Sequence, residues 1–318
     1  MDCRFVKTYP LFSGVNSSQC GNPSHYFEFC RRPSVRPQPS ARGRRGRKGN
    51  PAHRSAIESG TTLGGVNSVP DASTGPRIPA VLARHGLVRV CAHVPAGTFD
   101  LTGLRVLLTA DVLARVTELR GLQAFTRWTF THPAPGQEAI AGRVATELNI
   151  HPPAAPASSD SRADVKVEAV ACRAEGEDHG AVTIVVASAL LPSSSLAEGH
   201  EDMLTGRDAL AVRMALLSCS YHVPAELTEV MLANTQVTLG QWRNQVAGWA
   251  ESPSRPVPGQ IIAAYRTALE QLDTAAILAM LHTVAAESTM APGAKFETFL
   301  HADRVLGLDL ASGIGRSA

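Results

Sequence analysis

Cys91 and His93 stand two residues apart at the end of the apolar run LVRVC. A thiol and an imidazole so spaced could give a metal two ligands, or form a nucleophile with its base. Nothing else in the sequence completes either arrangement, so a loop histidine beside a strand cysteine is the plainer expectation. The stretch 88–115, VRVCAHVPAGTFDLTGLRVLLTADVLAR, reads as a buried strand, a tight loop and an apolar helix. A nucleotide-binding α/β domain starts in this way, yet the residues that usually do chemistry in its loop are missing here. Glu175, Glu177, Asp178 and His179 read as a solvated hairpin turn, and Trp128, Trp242 and Trp249 as packing residues.

The elements around this stretch follow from periodicity. Apolar residues at steps of three or four, from Leu104 to Leu119, predict a helix over 103–120 that ends at Gly121. Strands are expected over 87–91, 122–130, 165–171 and 181–189, with a helix over 136–149. The β-branched run at 181–189 predicts a strand buried on both faces. Beyond residue 205 the pattern is helical, with helices over 207–219, 225–250, 259–271, 273–287 and 292–306. The expected fold class is α/β plus all-α: a reduced parallel-sheet domain over 80–200, then a helical bundle over 205–310.

Residues 1–76 are rich in Ser, Pro, Gly, Asn and Arg and read as a disordered basic tail. Its run from Arg31 to Lys48 holds eight Arg and Lys residues and no acid, and could hold RNA phosphates. The net charge of the whole chain is only +2, so composition alone implies no strong nucleic-acid attraction. Six dispersed cysteines without a CxxC pair point to reduced thiols. No apolar run of membrane-spanning or signal-peptide length occurs, so a cytoplasmic protein with no membrane partner is expected.

Three blocks of the helical half resemble cysteinyl-tRNA synthetases and the related cysteine ligase of mycothiol synthesis. They are DALAVRMALLSCSY at 208–221, ALEQLDTAAILAML at 268–281 and PGAKFETFLHADRVLGLDL at 292–310. The resemblance extends back to 88–115, where Val88, Val90 and Cys91 fall on the family's first strand. It implies a Rossmann-like sheet domain of the class I synthetase type, with ATP as the nucleotide. Asp100, Thr102 and Gly103 then fall on the phosphate-binding H-x-G-H signature, and Arg105 on the arginine after it. Asp100 replaces a histidine with a carboxylate that would repel phosphate. Ser193, Ser194 and Ser195 fall on the K-M-S-K-S loop, with both lysines gone. Those lysines stabilise charge developing on the phosphates, and losing one such group typically costs about 10²–10³ in rate. Cys91 is the only match to the family's four zinc ligands, so a zinc site is not expected.

The resemblance leaves three readings. The first is a catalytically degenerate paralogue that keeps nucleotide- or tRNA-related binding, or acts through a protein partner. The second is an active ligase that adenylates cysteine or another amino acid and passes it to tRNA or a small amine. The third is a helical protein-interaction module. Arg213, Arg243, Arg255, Arg266 and Arg304 could face tRNA or another RNA, although interspersed acids weaken that field and favour ordinary surface charge.

Overall fold

A computed structural model of the chain describes residues 86–95, 99–154, 163–172, 181–191 and 206–315. All fall within one compact unit, Gly64–Ala318. The expected tail over 1–76 and Ser193, Ser194 and Ser195 lie outside the described residues.

Alternation builds the sheet. In β1 (Leu87–Val94), Val88, Val90, Ala92 and Val94 are buried, whereas Arg89 is exposed and His93 half-buried. β1 pairs in parallel with β2 (Gln123–Phe130) on one side and with β3 (Val165–Ala169) on the other. β4 (Val182–Val186) extends the sheet beyond β3, so the strand order is β2-β1-β3-β4. Two residues each from β5 (Ala189–Leu190) and β6 (Ala225–Glu226) form a second, parallel pair.

The apolar sheet face packs on α1 (Leu101–Leu119). Fifteen of the nineteen α1 residues are buried, so this helix has no solvent face of any width. It lies between the sheet and α7 (Pro292–Leu306). Gly121, with φ of +79°, follows its last turn in the left-handed conformation expected of it. α2 (Gln137–Glu147) carries the chain from β2 towards β3. The helical part consists of α3 (Ala209–Leu217), α4 (Glu229–Trp249), α5 (Gly259–Glu270), α6 (Thr274–Ala286) and α7. One continuous apolar core runs from Val88 and Leu107 through Leu216 to Phe299 and Leu310. The coarse expectation, a parallel sheet with helices and a helical carboxyl-terminal part, therefore holds. Among the described residues no helix is long and apolar enough to cross a membrane.

Three elements depart from the expected pattern, the first being β1, which runs on past residue 91 to Val94, so that His93, expected in a loop, is a strand residue. The 181–189 run is not a strand buried on both faces: the strand stops at Val186, Thr183 is exposed and Val182 and Val185 are half-buried. The helix expected from 225 starts instead at Glu229. The Thr228 hydroxyl caps it by accepting the Met231 amide at 3.2 Å, which leaves Ala225 and Glu226 free to pair with β5.

A buried charge network joins the sheet and helical parts. Arg213 on α3 is fully buried and donates to Asp111 Oδ2 on α1 at 2.7 Å. It also donates to the carbonyls of Leu306 at 2.5 Å, Leu148 at 2.9 Å and Asn149 at 3.0 Å. Arg115 Nε reaches the same Asp111 oxygen at 2.8 Å. Arg213 was expected among the residues that could face RNA; with no exposed surface it cannot. Arg243 also turns inward, to the Asp208 carboxylate and the carbonyls of Leu308 at 2.9 Å and Asp309 at 3.1 Å.

Burial pushes the Asp111 carboxyl up, but the His151 hydrogen bond and both guanidiniums outweigh this and hold it well below the usual carboxylate range. A depressed folded-state pKa adds stability above the unfolded value, and that stability is lost as pH falls through the folded one. We expect Asp111→Ala, which strands two guanidiniums, to cost about 3–5 kcal/mol in urea unfolding at neutral pH. We also expect the penalty to shrink below about pH 4, where the unfolded carboxyl is protonated. A loss under 1 kcal/mol at neutral pH would show that the network is not a keystone.

Candidate functional site at the carboxyl ends of the strands

The strand order reverses direction between β1 and β3, because the chain goes from β1 out to β2 and then back past β1. In open α/β sheets, ligands sit at the carboxyl ends of the strands at such a reversal. Residues in register on parallel strands point to the same face. On the face away from α1, Cys91 is therefore flanked by Arg127 and Lys166, and His93 by Thr129 and Glu168. A sheet with one apolar face thus carries two polar rows on the other.

His93 is held at both ring nitrogens. Nδ1 is 2.9 Å from Thr129 Oγ1, and Nε2 is 2.7 Å from Thr131 Oγ1. The Thr129 hydroxyl is also 3.3 Å from the Ala92 carbonyl. With the Thr129 hydroxyl turned to Ala92, the ring proton sits on Nδ1 and Nε2 accepts from the Thr131 hydroxyl; with it turned to Nδ1, the two roles are reversed. Burial, reinforced by Lys166 and opposed by Glu168, pushes the His93 pKa below the ordinary histidine value. The ring thus favours its neutral form and is hydrogen-bonded at both nitrogens. Glu168 is buried, and its Oε2 lies 2.6 Å from Lys166 Nζ. The approach is off-axis and makes no aligned hydrogen bond, so the pair acts through charge.

Cys91 is buried, with its sulfur 3.6 Å from the Thr129 hydroxyl and 3.7 Å from an Arg127 nitrogen. A guanidinium at the thiol and a histidine occupied by two threonines do not fit zinc ligation. Among the described residues, no group of three His, Cys, Asp or Glu side chains converges on one point.

The residues expected to meet phosphate have other tasks. Asp100 adopts an extended conformation just before α1, and its carboxylate accepts the Gly103 amide at 2.8 Å. It is the N-cap of the helix, so the chain's own carboxylate occupies an amide that a phosphate would need. Gly103 serves packing: a Cβ there would lie 3.1 Å from Val94 and 3.2 Å from Phe99. The Thr102 hydroxyl is within 3.3 Å of the Ala189 carbonyl and 3.2 Å of its amide, which fixes β5. Arg105 is buried and donates to five carbonyls: Ala187, Ser188, Cys219, Ser220 and Val223. It clamps the end of the sheet to the turn after α3. Asp100, Thr102, Gly103 and Arg105 thus form a structural joint at the start of α1.

Thr129, Lys166 and Glu168 were not singled out as a site from the sequence. Their signal was the alternation of polar residues at 89/91/93, 127/129/131 and 166/168, which becomes a polar sheet face only once strand register is known. No protein-family model matches the chain, and no curated protein matches it.

A Thr131 hydroxyl that donates to Nε2 favours neutral His93. Thr131→Val should therefore raise the His93 pKa, read by NMR titration of its ring protons, from below the ordinary value of about 6.5 towards it. An unchanged midpoint would mean that Thr131 does not hold the ring.

Proposed function

We propose that this protein is a relative of cysteinyl-tRNA synthetase that has given up adenylation and acts by binding. The three helical blocks and the β1–α1 stretch support the kinship, as does a parallel sheet placed before a helical part. On this reading the sheet is a reduced Rossmann-like domain of the class I synthetase type. The observation that carries the loss of chemistry is the cap at the start of α1. Asp100 presents a negative charge and takes up the Gly103 amide where nucleotide phosphates would sit. Arg105 cannot compensate, because its guanidinium is buried among carbonyls. Neither phosphate nor zinc fits the residues present, and no step is assigned through either.

The binding role falls to the polar sheet face and the helical part. The exposed cations of the latter are Arg255, Arg266 and Arg304, which suit a backbone-directed contact with tRNA or another RNA. A second reading keeps group-transfer chemistry in altered form, as a ligase that activates an amino acid. The Thr131–His93 contact favours it, since a neutral base at 2.7 Å from a hydroxyl can accept its proton.

Amino-acid-dependent exchange of pyrophosphate into ATP separates the two. We expect exchange at background for cysteine and the other standard amino acids, and no change in Tm on adding about 5 mM ATP, because saturating ligand would add RT ln(1 + [L]/Kd) of stability. Exchange above background that Thr131→Val abolishes would replace the first reading with the second.

A further inference from the structure

A cavity of about 20 Å³ lies where α1, the end of α3 and the turn between α5 and α6 meet. All ten residues that line it are buried, Tyr221 and Thr274 being the least so at 7% exposure. Leu108, Val112, Leu216 and Leu272 supply its apolar wall. A single water needs roughly 10–15 Å³ of such room, so the space has the size for one water and for no organic molecule.

Three residues with hydroxyls line the cavity, one from each element. Thr109 on α1 donates its proton to the Arg105 carbonyl at 2.8 Å. Thr274, the first residue of α6, donates to the Leu217 carbonyl at 2.6 Å. Each threonine oxygen keeps a lone pair but has no further proton to give. Tyr221, just after α3, differs. Its phenol oxygen is closed to solvent and neither donates nor accepts among the described residues. Burial, with the charge of Asp273 adding to it, pushes the phenol up to about 12, so the hydroxyl stays protonated and able to donate. A buried hydroxyl in that position forfeits the hydrogen bonds that it makes to water in the unfolded chain.

Among the described residues no carboxylate lines the cavity, so a cation would find no counter-charge there. One unspent donor and two unspent acceptors suit a small neutral molecule that can accept once and donate twice. We propose that this cavity is the site of one structural water. It would accept from the Tyr221 phenol and give its two protons to the Thr109 and Thr274 oxygens, three partners being the usual number for a buried water. The water would thereby join α1, the segment after α3 and the start of α6. This site is separate from the polar sheet face and does not depend on the reading given above for the chain.

Tyr221→Phe keeps the ring and removes only the hydroxyl, so the sign of its effect on stability tests the site. With the water in place, we expect urea unfolding of the full chain to show a folded-to-unfolded ratio about fivefold lower, the worth of one ordinary hydrogen bond. In a dry cavity the phenol is an uncompensated polar group, and the same substitution would raise that ratio. The loss should be smaller in a Thr109→Val background, because the two hydroxyls share one partner. A crystal structure of the full chain should show a single density peak about 3 Å from Tyr221 Oη. An unchanged or raised ratio, equal losses in the two backgrounds, or no peak at Tyr221 Oη would overturn the proposal.

Discussion

The Asp111 carboxylate accepts from four donors in a place closed to water. Arg115 and Arg213 reach one oxygen, and the backbone amide and ring nitrogen of His151 reach the other, each at 3.1 Å. Arg213 carries the constraint outward to the ends of α2 and α7. A buried guanidinium must find an acceptor for its donors, and those acceptors are the last carbonyls of two helices. The sheet and helical parts are therefore tied through one ion pair, and removing either partner would leave the other charged and desolvated. The same demand shapes Gly307, because only a residue without a Cβ leaves room for both guanidiniums.

Arg105 is a second joint of the same kind, two turns nearer the start of α1. It replaces long-range apolar packing by directed bonds to the β4–β5 connection and to the turn after α3. With Asp100 accepting the Gly103 amide and the Thr102 hydroxyl fixing β5, the chain itself uses part of the amino end of α1. Chemistry at the strand ends is left to the opposite face, where His93 rests between two threonines and beside the Lys166–Glu168 pair.

Much of the fold was legible before any coordinates. The helix over 292–306 matches its expected bounds, and 101–119, 259–270 and 274–286 differ from theirs by a residue or two. These segments have strong 3.6-residue apolar patterns with sharp stops at Gly121, Asp273 and Pro292. Trp242 and Trp249, seven residues apart, do share a face: both pack edge-on against Phe299. The candidate site was less legible. Cys91 and His93 stood out by residue type, but Thr129 and Glu168 did not, because threonine and glutamate on strands are ordinary surface residues until register sets them beside a histidine. The 181–189 strand was overextended for a related reason: β-branched residues favour extended backbone but do not say where pairing stops.

The sequence by itself determined most of the helices and strands, the apolar faces that enter the core, and that Cys91 and His93 are the residues of chemical interest at the end of the first strand. These follow from local periodicity and residue chemistry, properties of neighbours in the chain. Only the tertiary structure decided what the charged residues do. Asp100 looked like a carboxylate set against phosphate and is a helix cap. Arg105 looked like a nucleotide contact and is a buried clamp. Arg213 looked like a surface cation and has no surface at all. The partners of Arg105 lie 82 to 118 residues away, and the carboxylate that holds Arg213 lies 102 residues away. No spacing in the sequence encodes such contacts, because a charge takes its role from whatever the folded chain brings to it.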